Sequence, residues 1–167
     1  SNLTLNEFNK VMKNKKNFRN LKYNQSLYNI FCEENIPIIK NCKKNKIFSK
    51  TYGALLRGIL SEKYLSKKIS KKSRFYKSKK VQKHLSIKML EFIRELNVDL
   101  NDFKMNIAQF AIYNSIIGGS QTTIVGMRNF SQVRNICKNF DLKQLYNAKK
   151  IRKIHNKKIS KFNISYY

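Results

Sequence analysis

Two apolar periods alternate along this chain, and the change from one to the other marks its centre. In IAQFAIYNSII, residues Ile107, Phe110, Ala111 and Ile117 recur at helical spacing. Gly118 and Gly119 end that helix. Thr122, Thr123, Ile124 and Val125 then form a β-prone run without polar alternation, which predicts a short strand buried on both faces. Gly126 follows, and Ser131 is placed to cap the next helix, so 126–131 reads as a loop at the strand's carboxyl end.

The same reading extends to both sides. Thr4 and Glu7 have capping-box spacing before a narrow stripe of Leu5, Phe8 and Met12, which predicts a short helix. Residues 21–25 and 47–52 are strand candidates. Residues 27–45 read as one helix through Leu27, Ile30, Phe31, Ile38 and Ile39, with Pro37 implying a kink. Residues 82–96 carry Leu85, Met89, Phe92, Ile93 and Leu96 on one helical face. Asn97 should end that helix, and Asp99 or Asn101 should cap the next. A further helix is expected over 142–155. Glu33 and Glu34 read as part of a solvated face, not as a catalytic pair.

Charge changes this picture most. The 167 residues hold 36 Lys and Arg against 9 Asp and Glu, a net charge of +27. Abundant Lys, Asn and Ile with scarce Arg is the mark of AT-rich codons. Asp and Glu codons need only one G or C, so base composition alone does not explain their loss, and a polyanionic partner does. The cations are grouped. Lys13, Lys15, Lys16 and Arg19 make 1–20 a basic arm. Residues 63–83 hold ten Lys and Arg and no acid, with Lys67, Lys68, Lys71, Lys72, Arg74, Lys77, Lys79 and Lys80 suited to phosphates and Tyr76 to a base. Residues 143–161 add eight more without an acid, among them Lys149, Lys150, Arg152, Lys153, Lys157 and Lys158.

Other chemistry is sparse. Cys32, Cys42 and Cys137 have neither disulfide nor zinc spacing and read as small core residues in a reducing compartment; no metal site is expected. His84 and His155 lie in basic stretches and read as surface residues. No apolar run approaches the ~20 residues of a membrane span, and no signal peptide is evident. The chain opens on Ser1 without Met, which leaves room for a cleaved leader or an earlier segment.

Two stretches together carry a family resemblance. YGALLRGILSEKY, from Tyr52 to Tyr64, is similar to the seventh-strand sequence of aldo-keto reductases, matching at Tyr52, Leu55, Arg57, Gly58, Leu60, Lys63 and Tyr64. TTIVGM and NFSQVRNI resemble the eighth strand and helix of the same family, most closely its plant L-galactose dehydrogenase branch. The resemblance covers roughly 21–138 and implies the last three strands of a (β/α)8 barrel, a fold of about 250 residues when complete. The expected fold is therefore α/β: a partial barrel remnant of about three mainly parallel strands over 21–140, with surrounding helices, a basic insert at 63–83 and a basic tail over 141–167.

What the resemblance implies for chemistry is loss. The family's Tyr, Lys, Asp and His come from the first half of the barrel, and no such set stands in the matched region. Gly126, Arg128 and Gln132 are vestigial candidates for the NADPH site, but the family's Glu-Glu-Asn positions are Arg134, Asn135 and Ile136 here, and its Ser and Pro are Gly53 and Ala54. No cofactor and no catalysis are expected. These features together point to a structural rRNA-binding component of an organellar ribosome, in the mitochondrial matrix, with rRNA and neighbouring ribosomal proteins as partners. The alternative is one subunit of a split aldo-keto reductase, completed by another chain and using NADPH. A non-catalytic part of an organellar membrane complex fits the charge less well.

Overall fold

The computed structural model describes residues 2–18, 20–66, 74–162 and 164, and of Lys15 and Arg74 the backbone alone. Three strands, β1 (Tyr23–Leu27), β2 (Phe48–Tyr52) and β3 (Thr122–Ile124), form one parallel sheet in the order β1-β2-β3. Helix α2 (Ile36–Lys44) joins the first two. The longer passage from β2 to β3 holds α3 (Arg74–Lys77), α4 (Lys79–His84), α5 (Ile87–Asn101) and α6 (Ile107–Ile117). Helix α1 (Leu5–Lys13) precedes the sheet, and α7 (Phe130–Cys137) and α8 (Leu142–Ile159) follow it. Parallel strands with helical crossovers are the repeating unit of a (β/α)8 barrel, and this chain is a part of one.

Helix α6 organises the interior. Residues 107–115 of it are all buried, the pattern of a helix covered on every side. Its first turn is satisfied three ways: Asn106 and Gln109 form a capping box, and the Glu62 carboxylate accepts from the Ile107 N–H at 2.7 Å. Around it pack Met89, Phe92, Ile93 and Leu96 of α5, Ala148 and Ile151 of α8, and Leu56, Ile59 and Leu60 after β2. A second, smaller cluster joins Phe8 of α1 to Ile38, Cys42 and Ile47. The capping box of α1 is present, so the basic arm is seated on α2 through one buried ring.

Several boundaries differ from the sequence expectation, each for a local reason. Residues 28–35 are not helical: the Asn29 side chain accepts from the Phe31 N–H, and Asn35 donates to the Leu27 carbonyl, both at 3.0 Å. Pro37 therefore falls in the first turn of α2, where no backbone donor is needed, and kinks nothing. Residues 82–96 are split, because Ser86 caps a new helix whose buried ladder continues from Leu96 to Leu100. Asn97 thus sits inside α5, and the cap of α6 is Asn106 instead of Asp99 or Asn101. Asn129, not Ser131, caps α7 by accepting from the Gln132 N–H at 3.0 Å. Helix α8 runs on to Ile159, which is buried.

The largest correction concerns β3. It is three residues long, Ile124 is 45% exposed and Thr122 is exposed, so the strand is not buried on both faces. A β-branched run reports that a strand is suited to burial; whether it is buried depends on what lies beyond it. Among the described residues nothing pairs with the far edge of β3, and the α7 that follows has no buried residue.

The sheet's two faces differ in chemistry. Asn24, Ser26, Ser49 and Thr51 point to the helices and are buried, with Thr51 bonding Ser120 at 3.0 Å. Tyr23, Gln25, Phe48, Lys50 and Tyr52 alternate onto the other face and stay partly open.

Candidate anion-binding site

Cations from three elements converge where β2 and β3 end. After β2 the chain turns through Leu56, Arg57 and Gly58 with φ of 44°, 57° and 87°, three successive residues in the left-handed region. For two residues with side chains that is a costly geometry, and it aims Arg57 at a cavity of about 290 Å³. Lys77 and Ser78, from the junction of α3 and α4, line the same cavity, and Arg128, from the loop after β3, completes it. Lys63 leans over the turn, its Nζ 3.0 Å from where a Cβ on Gly58 would stand. The field is felt nearby: burial, then Lys83, Arg57 and Lys80, hold the His84 imidazole below its ordinary pKa.

Two guanidinium groups, an ammonium and a hydroxyl line one cavity, a donor set of the kind that suits a phosphate or a similar oxyanion. Among the described residues no carboxylate lines it. The place is also where parallel α/β barrels receive ligands, at the carboxyl ends of their strands.

The predicted site residues separate into groups. Lys77 lines the cavity. Lys79 and Lys80 are exposed on α4, and Tyr76 is 54% exposed with Phe75 against it edge to face at 5.2 Å. Lys13 and Lys16 are exposed near the end of α1. Arg19, Lys67, Lys68, Lys71 and Lys72, with the side chains of Lys15 and Arg74, lie outside the described residues. On α8, Lys149, Lys150, Lys153 and Lys157 face out, with Lys150 over the Tyr146 ring at 4.7 Å. Lys158 is exposed but paired with Glu95.

Arg152 does not belong with them. It turns inward, donating to the Tyr28 hydroxyl and the Asn114 carbonyl oxygen at 3.0 Å each and pairing with Glu33. Tyr28 itself donates to Glu33 at 2.9 Å, and burial pushes its hydroxyl up to about 12. Glu33 is therefore the inner partner of Arg152 and not part of a solvated face. His155 is buried as well, 2.6 Å from Asp99, which removes it from the surface. Of the cysteines, Cys32 and Cys42 are buried as expected while Cys137 is exposed at the end of α7. Arg57 and Ser78 were not foreseen as site residues. The signal available for Arg57 was its place before Gly58, which permits the left-handed turn.

A parallel sheet closed by helical crossovers, with a site at the strands' carboxyl ends, defines the class as a piece of a (β/α)8 barrel. The solved glycerol dehydrogenase AKR11B4 of Gluconobacter oxydans has this fold: it matches with a TM-score of 0.64 and 20% identity over 92% of this chain and 48% of its own. The chain thus spans about half the length of the reductase it matches. No protein-family model matches the chain, and no curated protein matches it in sequence.

The three vestigial cofactor candidates lie together, Gly126 and Arg128 in the loop after β3 and Gln132 in α7. A Cβ on Gly126 would meet nothing within 4 Å, so the space beside it is open. The Gln132 carbonyl oxygen is occupied by the Arg128 N–H at 2.8 Å. Arg134 lies against the Phe130 ring, 5.1 Å from its centroid, on an exposed helix.

Proposed function

We propose that this protein is a structural rRNA-binding component of a mitochondrial ribosome, built on a degenerate half of an aldo-keto reductase barrel related to the L-galactose dehydrogenase branch and without catalysis. Its partners are rRNA and neighbouring ribosomal proteins in the matrix. One observation carries the reading: in a chain of net charge +27, Arg57, Lys77, Ser78 and Arg128 converge on a cavity that no acid lines among the described residues. A backbone phosphate fits those groups, and the exposed lysines of α1, α4 and α8, with those of 67–72, extend the contact along a strand of RNA. None of these groups is a proton donor poised beside a carbonyl, and no such donor is required for this role.

Binding to RNA against salt tests it. Each phosphate contact contributes a log-log slope of about 0.7 to 0.9. Replacing Lys77 and Arg128 together by Gln should shallow the slope by about 1.5 with helicity intact. A slope equal to the parent's in a folded variant would remove the pocket from the RNA contact, and absence of RNA binding by the parent would overturn the reading.

A second reading has its own observation. β1 and β3 each pair on one side among the described residues, as in a barrel cut in two, which suits a split reductase completed by another chain. The two part at the cofactor. NADPH at high micromolar concentration should leave the Tm of the RNA-binding scaffold unchanged, whereas a ligand bound by the native state raises it. A rise, or carbonyl reduction by the purified protein, would favour the split enzyme.

A further inference from the structure

The face of the sheet turned away from the helices has no part in the site just described. In a complete barrel that face lines the closed interior. Among the described residues it stays partly open, and it is furnished with rings. Tyr23 is 57% exposed. Phe48 stands directly opposite it on β2 and meets it edge to face, the centroids 5.9 Å apart at 69°. Lys50, two residues on and therefore on the same face, sets its Nζ 4.3 Å from the Tyr23 ring centre. Tyr52 continues the row and is tied through its hydroxyl to Asn2 at 2.8 Å. Lys22 and Lys46, both exposed, flank the two rings at the entry ends of their strands.

We propose that this face is a stacking platform for the unpaired bases of single-stranded RNA, with Tyr23 as the ring that receives a base and Lys50, Lys22 and Lys46 as the cations that meet the adjoining phosphates. The proposal rests on the RNA-binding reading and adds a second contact of different chemistry. Charge selects this occupant over the others such a face admits. Among the described strand residues no acid stands on it, so an apolar polypeptide laid across it would bury Lys50 without an acidic partner. A second copy would bring another +27 against the first. Single-stranded RNA supplies both of the matching parts, π-faces for the rings and phosphates for the lysines. The platform and the phosphate pocket lie at opposite ends of β2. Tyr23 and Phe48 stand at the entry end and the pocket lies past the carboxyl end, so a run of nucleotides laid along the strand can span both.

The absence of any tryptophan makes the test direct. In Tyr23→Trp the introduced indole is the sole such fluorophore and sits on the platform. Binding of a 12-nucleotide oligouridylate should quench it, while inorganic polyphosphate, which has charge and no bases, should bind without quenching. In Tyr23→Leu, which keeps bulk and strand preference, affinity for the oligouridylate should fall about five- to 150-fold. Duplex affinity and the salt slope should stay at the parent's values, with circular dichroism confirming the fold. If the oligouridylate binds yet leaves the indole unquenched, or binds Tyr23→Leu as tightly as the parent, the platform is overturned and the RNA reading stands. If the parent binds neither single strand nor duplex, both fall.

Discussion

Helix α8 and the segment from Lys63 to Lys83 have nearly the same sequence chemistry, eight Lys and Arg without an acid over 143–161 and ten over 63–83. Their described parts are used in opposite directions. In α8 the residues at 152, 155 and 158, three apart and hence on one side, meet Glu33, Asp99 and Glu95 from other elements. Ala148, Ile151 and Ile159 on that side are in the core. In the other segment Lys77, Lys79, Lys80 and Lys83 point to solvent, and Lys77 reaches a cavity shared with Arg57 and Arg128. A run of like charge therefore does not say which way its members face. The deciding partners are acids distant in sequence, 56 residues away for His155, 63 for Lys158 and 119 for Arg152.

The strongest way to break the contrast is Arg152→Ala. Its side chain is 17% exposed and holds Tyr28, Asn114 and Glu33 at once. Removing one partner of a buried pair costs about 3–5 kcal/mol; because Glu33 retains access to water, a loss of about 2–3 kcal/mol is expected here. Urea unfolding measures it, and RNA affinity corrected for folding should hardly move. A variant as stable as the parent but weaker on RNA would return Arg152 to the outward set.

Next comes pH. The folded Tyr28 hydroxyl keeps its proton to about 12, against an ordinary value near 10, chiefly because it is buried. Between those values the folded chain binds more protons than the unfolded one, so this contribution is complete below pH 10 and is lost as pH rises toward 12. It amounts to about 2–3 kcal/mol at full loss. The lysines also titrate in this window, so the measurement is the difference between parent and Tyr28→Phe. The parent's stability should fall more steeply from pH 10 to 12. Equal slopes would mean that water reaches the hydroxyl and that the α8 anchor is wet.

How much of this was legible in the sequence follows the range of the interactions. Helix α6 with its glycine stop, and the words around Gly58 and Gly126, are local patterns, and through the family resemblance they carry they led to the right fold class. Capping residues were read off by two positions at α7 and by five or more at α6, since Ser131 and Asn129, like Asn101 and Asn106, have the same chemistry and only the entering backbone chooses. Ser86 was missed because the apolar ladder on either side of it hides the break. The inward turn of Arg152 and His155 was not legible at all: both depend on acids brought in by tertiary packing. The openness of β3 was invisible for the converse reason, since it depends on what is not packed against it. In the candidate site, Lys77 and Arg128 were foreseen singly. Their meeting with Arg57 depends on a left-handed turn that Gly58 permits but does not announce.

The smallest effect sharpens the comparison most, because it asks whether α8 is held by charge or by burial. Lys158 pairs with Glu95, yet the two side chains are 51% and 47% exposed. An ion pair in that setting gains little over its hydrated groups and spends side-chain freedom to form, so it contributes about 0–1 kcal/mol. Lys158→Gln should therefore shift stability by less than about 0.5 kcal/mol at low salt, and by nothing measurable in 1 M salt, where the screening length is about 3 Å. Arg152→Ala, by contrast, should keep most of its loss in the same salt, because the Arg152 side chain is 17% exposed and two of its three partners, Tyr28 and Asn114, are uncharged. Thermal unfolding of both variants at two salt concentrations gives the answer. A Lys158 loss comparable to that of Arg152, and abolished by salt, would mean that the tail is held by surface charge, and the division between inward and outward cations would no longer follow burial.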